Sequence, residues 1–356
     1  MIKRKLGFAL AMVGLMVFAS AHRIEAAPAR LGYSNAITSI YTSVFTAMNS
    51  VQIAMARMAN EVIEDTWFTV RAPTVRIKPK LIKLTQTFKW SSPSSDPAGI
   101  AYQPSTGHLL ISDSEVEEYT RLYWHGVNVF QVSPTGNLVR TFTTFTKNPT
   151  SREWNNYSNE PSGLALNPAN GHLFVADDVV KKIFEIDPAD DAQLGTPDDQ
   201  VTAFSTLAFG AKDVEDVEYA NGVLYISDGS LARIYAIYPG ANGIFDGVPP
   251  AGDDQVTYFD VGAFGVRDAE GLGYDPVSQH LLVVDKSRYI VEVTLRGTFV
   301  RAIDLSLLNG KNFADVVVAP SSVNPAVNSW YVVDRMLDNN TTPNENDGRL
   351  YELFVP

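Results

Sequence analysis

"EPSGLALNPANGHLFVAD", residues 160–177, holds two apolar runs around a turn. Leu164, Ala165 and Leu166 end the first run, and Leu173 to Ala176 form the second, which stops at Asp177. Short apolar runs separated by Pro, Asn and Gly read as two strands joined by a tight turn. The same pattern recurs as "DPAGIAYQPSTGHLLISD" (96–113), "DVEDVEYANGVLYISD" (213–228), "DAEGLGYDPVSQHLLVVD" (268–285) and "NFADVVVAPSSVNPAVNSWYVVD" (312–334). Each opens on an acid or Asn and closes on Asp.

A third strand follows each pair: "NVFQVS", "KIFEID", "RIYAIY", "YIVEVT" and "RLYELF". The first four units add a fourth: "NLVRTFT", "QVTAFST", "QVTYFDV" and "TFVRAID". The openings at 96, 160, 213, 268 and 312 recur every 44 to 64 residues. Four short strands at such a period are the signature of a β-propeller. The last unit stops at Pro356 after its third strand, and "KLIKLTQTF" (80–88) offers the missing one. Pairing the two would close the ring and remove an open sheet edge. The expected fold is all-β, a propeller of five four-stranded blades closed by an N-terminal strand. A six-bladed ring is the alternative, with "WFTVRAPTVRIK" (67–78) supplying part of another blade.

The unit resembles the NHL-type propeller repeat and its bacterial relatives, in which G-x-A-x-x-P…G-x-L-x-V-x-D recurs blade after blade. The resemblance covers residues 96–356. It implies a fold used alike by binding platforms, scaffolds, lactonases and esterases. It also implies that Asp113, Asp177, Asp228, Asp285 and Asp334 bond the backbone at the turn after the second strand.

Around the ring the chain reads differently. Residues 1–21 have the three parts of a secretory signal peptide: basic Lys3, Arg4 and Lys5, an apolar stretch Leu6 to Phe18, and small Ala19-Ser20-Ala21. The apolar stretch falls short of the roughly 20 residues a spanning helix needs, so a secreted or periplasmic protein without a transmembrane span is expected. Losing that segment makes the chain three charges more negative than its −12. Such a surface repels nucleic acid and favours cations and soluble partners. With no cysteine, disulfide, zinc-thiolate and thiol-nucleophile chemistry are excluded.

Residues 22–79 form an N-terminal helical segment and linker ahead of the propeller, 80–356. Within it, residues 34–64 carry Ile37, Ile40, Tyr41, Val44, Phe45, Met48, Val51, Met55, Met58 and Val62 at steps of three and four. That is one stripe of a long amphipathic helix, free to pack on the ring or to self-associate. Arg57 is its only basic residue, which argues against docking on a membrane surface.

Few residues look singular enough for catalysis. His108, His172 and His280 occupy one repeated place, which predicts a packing or turn role between blades. His125, beside Tyr123 and Trp124, is the exception and a candidate pocket residue. No G-x-S-x-G elbow and no phosphate-cradling G-x-x-x-x-G-K-[ST] occurs.

Acids are the richer signal. Asp96, Glu160, Asp213, Asp268 and Asn312 open the innermost strands, with Glu215, Asp216, Glu270 and Asp315 just inside. Carboxylates converging on a central channel repel one another unless protonated or met by a cation, and hard oxygen donors suit Ca²⁺. A second set sits in three loops: Asp187, Asp190, Asp191, Asp198 and Asp199; then Asn242, Asp246, Asp253 and Asp254; then Asp338, Asn340, Asn344, Asn346 and Asp347. Asx residues at short intervals wrap oxygens around one Ca²⁺, or simply make solvated turns.

Two functions are therefore expected to compete. One is an exported binding platform for a protein or glycan partner, with calcium-braced loops. The other is a metal-dependent hydrolase of lactones, esters or phosphoesters at the central channel.

Overall fold

The computed structural model describes residues 76–115, 126–147, 154–158, 160–286, 288–337 and 346–356. The chain divides into Met1–Val70 and Arg71–Pro356. The signal segment, the helix over 34–64 and His125 lie outside the described residues.

Five four-stranded antiparallel sheets follow one another along the chain. Blade 1 runs Pro97–Gln103, His108–Asp113, Val129–Val132 and Leu138–Phe142, and blade 2 runs Pro161–Leu166, Leu173–Asp177, Lys182–Asp187 and Gln200–Ser205. Blade 3 comprises Val214–Ala220, Val223–Asp228, Arg233–Tyr238 and Gln255–Asp260; blade 4 comprises Ala269–Asp275, His280–Asp285, Tyr289–Thr294 and Phe299–Asp304. Blade 5 is built from Phe313–Pro320, Asn328–Asp334 and Arg349–Phe354, with Lys80–Gln86 antiparallel to the last of these as its outer strand. The innermost strands touch in cyclic order, blade 5 returning to blade 1. The ring has five blades. The six-bladed alternative fails where it can be read, because Arg76–Ile77 lies parallel on the edge of blade 4, beside Ala302 and Ile303.

The core consists of five apolar layers, one between each pair of neighbouring blades. Second strands show why their sequences are unbroken apolar runs. In blade 4, Leu281 and Val283 face the layer toward blade 3, while Leu282 and Val284 face the layer toward blade 5. Successive side chains of a strand point to opposite faces, so a strand buried on both sides needs apolar residues at every position.

The repeated histidines lock strands within a blade, not blades to each other. His172 Nδ1 meets Glu185 at 2.7 Å, His280 Nδ1 meets Glu292 at 2.6 Å, and His108 Nδ1 lies 3.2 Å from the Gln131 amide. A fourth-strand arginine completes two of these rows: Arg140 donates to Gln131 and Arg301 to Glu292. The blade-to-blade expectation missed this because the partner lies one strand away in the same sheet.

Candidate functional site

Each blade's closing Asp acts as a clamp. Asp113 accepts the Asp96 N–H at 3.0 Å, Asp177 the Glu160 N–H at 3.4 Å, and Asp334 the Asn312 N–H at 2.9 Å. Asp228 takes Lys212 and Asp213, and Asp285 takes Arg267 and Asp268. Asp113, Asp177, Asp228 and Asp334 also accept an N–H just beyond their own strands, from Glu115, Val179, Leu231 and Met336. The entry acids therefore meet the clamps through their backbones.

Their side chains have separate fates. Asp96 is fully buried near Arg335, Asn312 is buried, and Glu160 is half-buried. Asp213 accepts the Ser230 N–H and lies 4.0 Å from Lys181. Asp268 lies 3.7 Å from Lys286 Nζ.

The mouth of the ring is dominated by residues two positions farther in. A bulge near the start of each innermost strand turns Glu215 of blade 3 and Glu270 of blade 4 into the mouth. Lys286 Nζ binds Glu270 at 2.5 Å, and Arg335 of blade 5 sits among Glu270, Glu215, Glu115 and Asp96. Burial alone would lower the Arg335 pKa, but those four acids together raise it. Glu215 is one of the acids beside Arg335. Burial and then Glu270 push its carboxyl up to about 8, with Asp178 and Asp213 adding to the effect and Arg335 opposing it. Gly229 leaves room here: a Cβ at that position would stand 2.6 Å from Asp268 Oδ1 and 3.1 Å from Glu215 Oε1.

Below the mouth, two carboxyls meet on the axis. Asp216 of blade 3 shares a hydrogen bond with Asp315 of blade 5, two blades away. Asp216 Oδ2 accepts the Leu272 N–H at 2.6 Å, and Asp315 Oδ2 accepts the Ile100 N–H at 2.7 Å. Burial and the facing Asp315 drive Asp216 well above the usual carboxylate range, and burial lifts Asp315 to about 7. In the other blades this fourth position of the repeat is Gly99, Gly163 and Gly271. A Cβ on Gly163 would come within 2.5 Å of the Asp216 Cα, so the glycines make room for the aspartates.

The three acidic loops differ. In the blade 3 loop, carboxylate oxygens of Asp246, Asp253 and Asp254 all lie within 4.8 Å of one another. Asn242 donates to Asp246 at 2.8 Å, and Asp254, 3% exposed, keeps one buried oxygen without a hydrogen bond. The blade 2 loop gathers no such group among the described residues. Asp198 is exposed and takes the Thr196 hydroxyl, Asp199 takes the Gly195 N–H, and Asp190 is exposed. In the last loop Asp347 faces the Leu337 N–H at 3.4 Å, while Asp338, Asn340 and Asn344 lie outside the described residues.

At the far end of the axis the innermost strands open into a funnel of about 430 Å³. Glu218, Tyr102, Tyr219 and Tyr274 line it. The acids of the mouth were the feature legible in the sequence; this funnel was not anticipated.

The sequence matches no protein-family model and no curated protein. Among solved structures, the chain is similar to the glutaminyl cyclase of Myxococcus xanthus, at 15% identity and a TM-score of 0.49 over 80% of this chain and 98% of that one. It is similar to the PQQ-bound aldose sugar dehydrogenase of Streptomyces coelicolor, at 15% identity and 0.46 over 80% and 100%. A third is the virginiamycin B lyase of Staphylococcus aureus, at 13% identity and 0.39 over 75% and 68%. Likenesses this distant carry no argument about activity. The propeller assignment rests on the strand order and the five interblade layers.

Proposed function

We propose that this chain is an exported, NHL-like β-propeller that works as an interaction platform, its mouth receiving a basic segment of a protein partner. Glu215 carries the reading. Burial and then the neighbouring Glu270 push its carboxyl up to about 8, and Arg335 offsets only part of that rise. A lysine or arginine side chain from a partner would take the place of its proton and relieve the repulsion. In this reading Lys80–Gln86 is the strand that closes the ring. Calcium braces the periphery through Asp246, Asp253 and Asp254, whose oxygens are the hard donors that ion prefers.

The same carboxyl favours one second reading, a hydrolase of lactones, esters or phosphoesters with Glu215 as general acid or base. A divalent ion at the mouth would then have to displace Lys286 from Glu270. That makes the platform the stronger reading.

The test is binding of a labelled pentalysine peptide at physiological salt, by fluorescence polarisation. Wild-type protein should bind, and Glu215→Gln should weaken binding at least tenfold. Equal affinity in the two proteins, or steady turnover of p-nitrophenyl esters that Glu215→Gln abolishes, would move the conclusion to the second reading.

A further inference from the structure

The sixth position of the repeat carries the inference. It is Ala101, Ala165, Gly273 and Val317 in four blades, and Glu218 in blade 3. This position follows the Gly/Asp position by two, so it lies on the same face of the strand, and Ala101, Ala165, Glu218 and Val317 line the funnel. Small residues suit that narrow place; a Cβ on Gly273 would overlap the Val316 carbonyl oxygen. Four blades show that the fold needs no carboxyl there. The glutamate is a single departure from the repeat, and it sits where a cavity opens.

The seventh position adds a tyrosine in three of the five blades. Tyr102, Tyr219 and Tyr274 line the funnel with Glu218, and Asn221 and Gln279 stand at its rim. The rings are held in place: Tyr219 stacks on Phe174 with centroids 6.0 Å apart, and the Tyr274 hydroxyl accepts the Asn221 amide at 3.1 Å. Glu218 accepts the Tyr219 N–H at 2.7 Å. Among the described residues lining the funnel, none is Lys, Arg or His. The two ends of the axis therefore differ. The mouth supplies its own cations, and the funnel supplies none.

We propose that this funnel binds a small organic cation, a quaternary or tertiary ammonium group seated against the tyrosine faces with Glu218 as its counter-ion. Aromatic faces attract such cations, most strongly where water is excluded. The volume lies within the range of small-molecule sites. The ionisable groups around Glu218 are Asp315, Tyr225 of the paired strand, and the phenols of Tyr102, Tyr219 and Tyr274. None of these can carry a positive charge. Burial and then Asp315 raise the Glu218 carboxyl well above the ordinary range, so its charged form is disfavoured without a cationic partner. A bound ammonium supplies the missing partner and lets the carboxyl ionise. The inference concerns the opposite end of the axis from the proposed partner site and stands independently of it.

Calorimetric titration of the purified protein with choline chloride, and with its uncharged isostere 3,3-dimethylbutan-1-ol, tests the proposal. Choline should bind at least tenfold more tightly than the isostere. Glu218→Gln should erase that preference, Tyr274→Leu should weaken choline at least fivefold, and Asp198→Ala, at an exposed acid elsewhere, should change nothing. Circular dichroism and the melting temperature confirm that each variant is folded. Equal binding of the two probes, choline affinity that survives Glu218→Gln, or no heat with millimolar choline in folded wild-type protein overturns the proposal.

Discussion

Asp216 and Asp315 reach toward each other from blades 3 and 5 and share a hydrogen bond. Each also binds an N–H of the next blade, Leu272 at 2.6 Å and Ile100 at 2.7 Å. One pair of side chains thus ties four innermost strands together.

The pair makes stability depend on pH. Both carboxyls are raised in the folded state. Their contribution is therefore complete below the ordinary carboxylate range, near pH 4, and fades as pH climbs above it, through about 7 for Asp315. The melting temperature should fall between pH 5 and 9. Asp315→Asn keeps an oxygen acceptor but cannot ionise, so its thermal unfolding curves should shift less across that range. A parallel fall in both proteins would assign the pH dependence elsewhere.

Gly163→Ala should be costly. Its methyl group would lie within 2.5 Å of the Asp216 Cα, between the innermost strands of blades 2 and 3. Overpacking of this kind typically costs about 1–3 kcal/mol. Gly107→Ala, at an open turn with nothing within 4 Å, pays only for its left-handed φ of +70°. Urea midpoints should place Gly163→Ala as the less stable of the two.

The clamps should separate from the loop acids. Asp228 is fully buried and accepts N–H groups from Lys212, Asp213 and Leu231. Asp228→Ala strands those donors and should cost on the order of 2–3 kcal/mol. Asp198→Ala, at an exposed residue, should leave the urea midpoint unmoved.

Calcium should stabilise the protein through blade 3. Saturation to a hundred times the dissociation constant adds about 2.7 kcal/mol, visible as a higher melting temperature than in chelator. Asp253→Asn retains an acceptor for the Ala241 N–H yet removes a charge from the donor set, so it should shrink the calcium shift and leave the chelator value alone. A shift that Asp253→Asn does not alter would exclude this loop as the site.

The ring was legible because its determinants are local and repeated. Apolar runs such as Leu281–Val284 and the terminal Asp of each second strand recur in every unit. The clamps could be inferred for the same reason. Asp216 and Asp315 were legible as acids converging on the channel, but not as each other's partners, since residues 99 positions apart become neighbours only when the ring closes. The blade 2 and blade 3 loops look alike in sequence, but only Asp246, Asp253 and Asp254 converge. The difference lies in backbone path, which a shared ending of Asp-Asp-Gln-Val-Thr does not specify. Glu218 did leave a trace: aligning the five units shows one glutamate against Ala101, Ala165, Gly273 and Val317. Attention to what repeats passed over the one position that does not.

The platform reading is tested most directly by counting protons. Pentalysine is titrated into the protein at pH 7 in two buffers of different ionisation heat. With the Glu215 carboxyl at about 8, binding should release close to one proton per peptide, and Glu215→Gln should release none. Proton release that is zero in the wild type, or equal in the two proteins, would contradict the assignment of the mouth as the partner site.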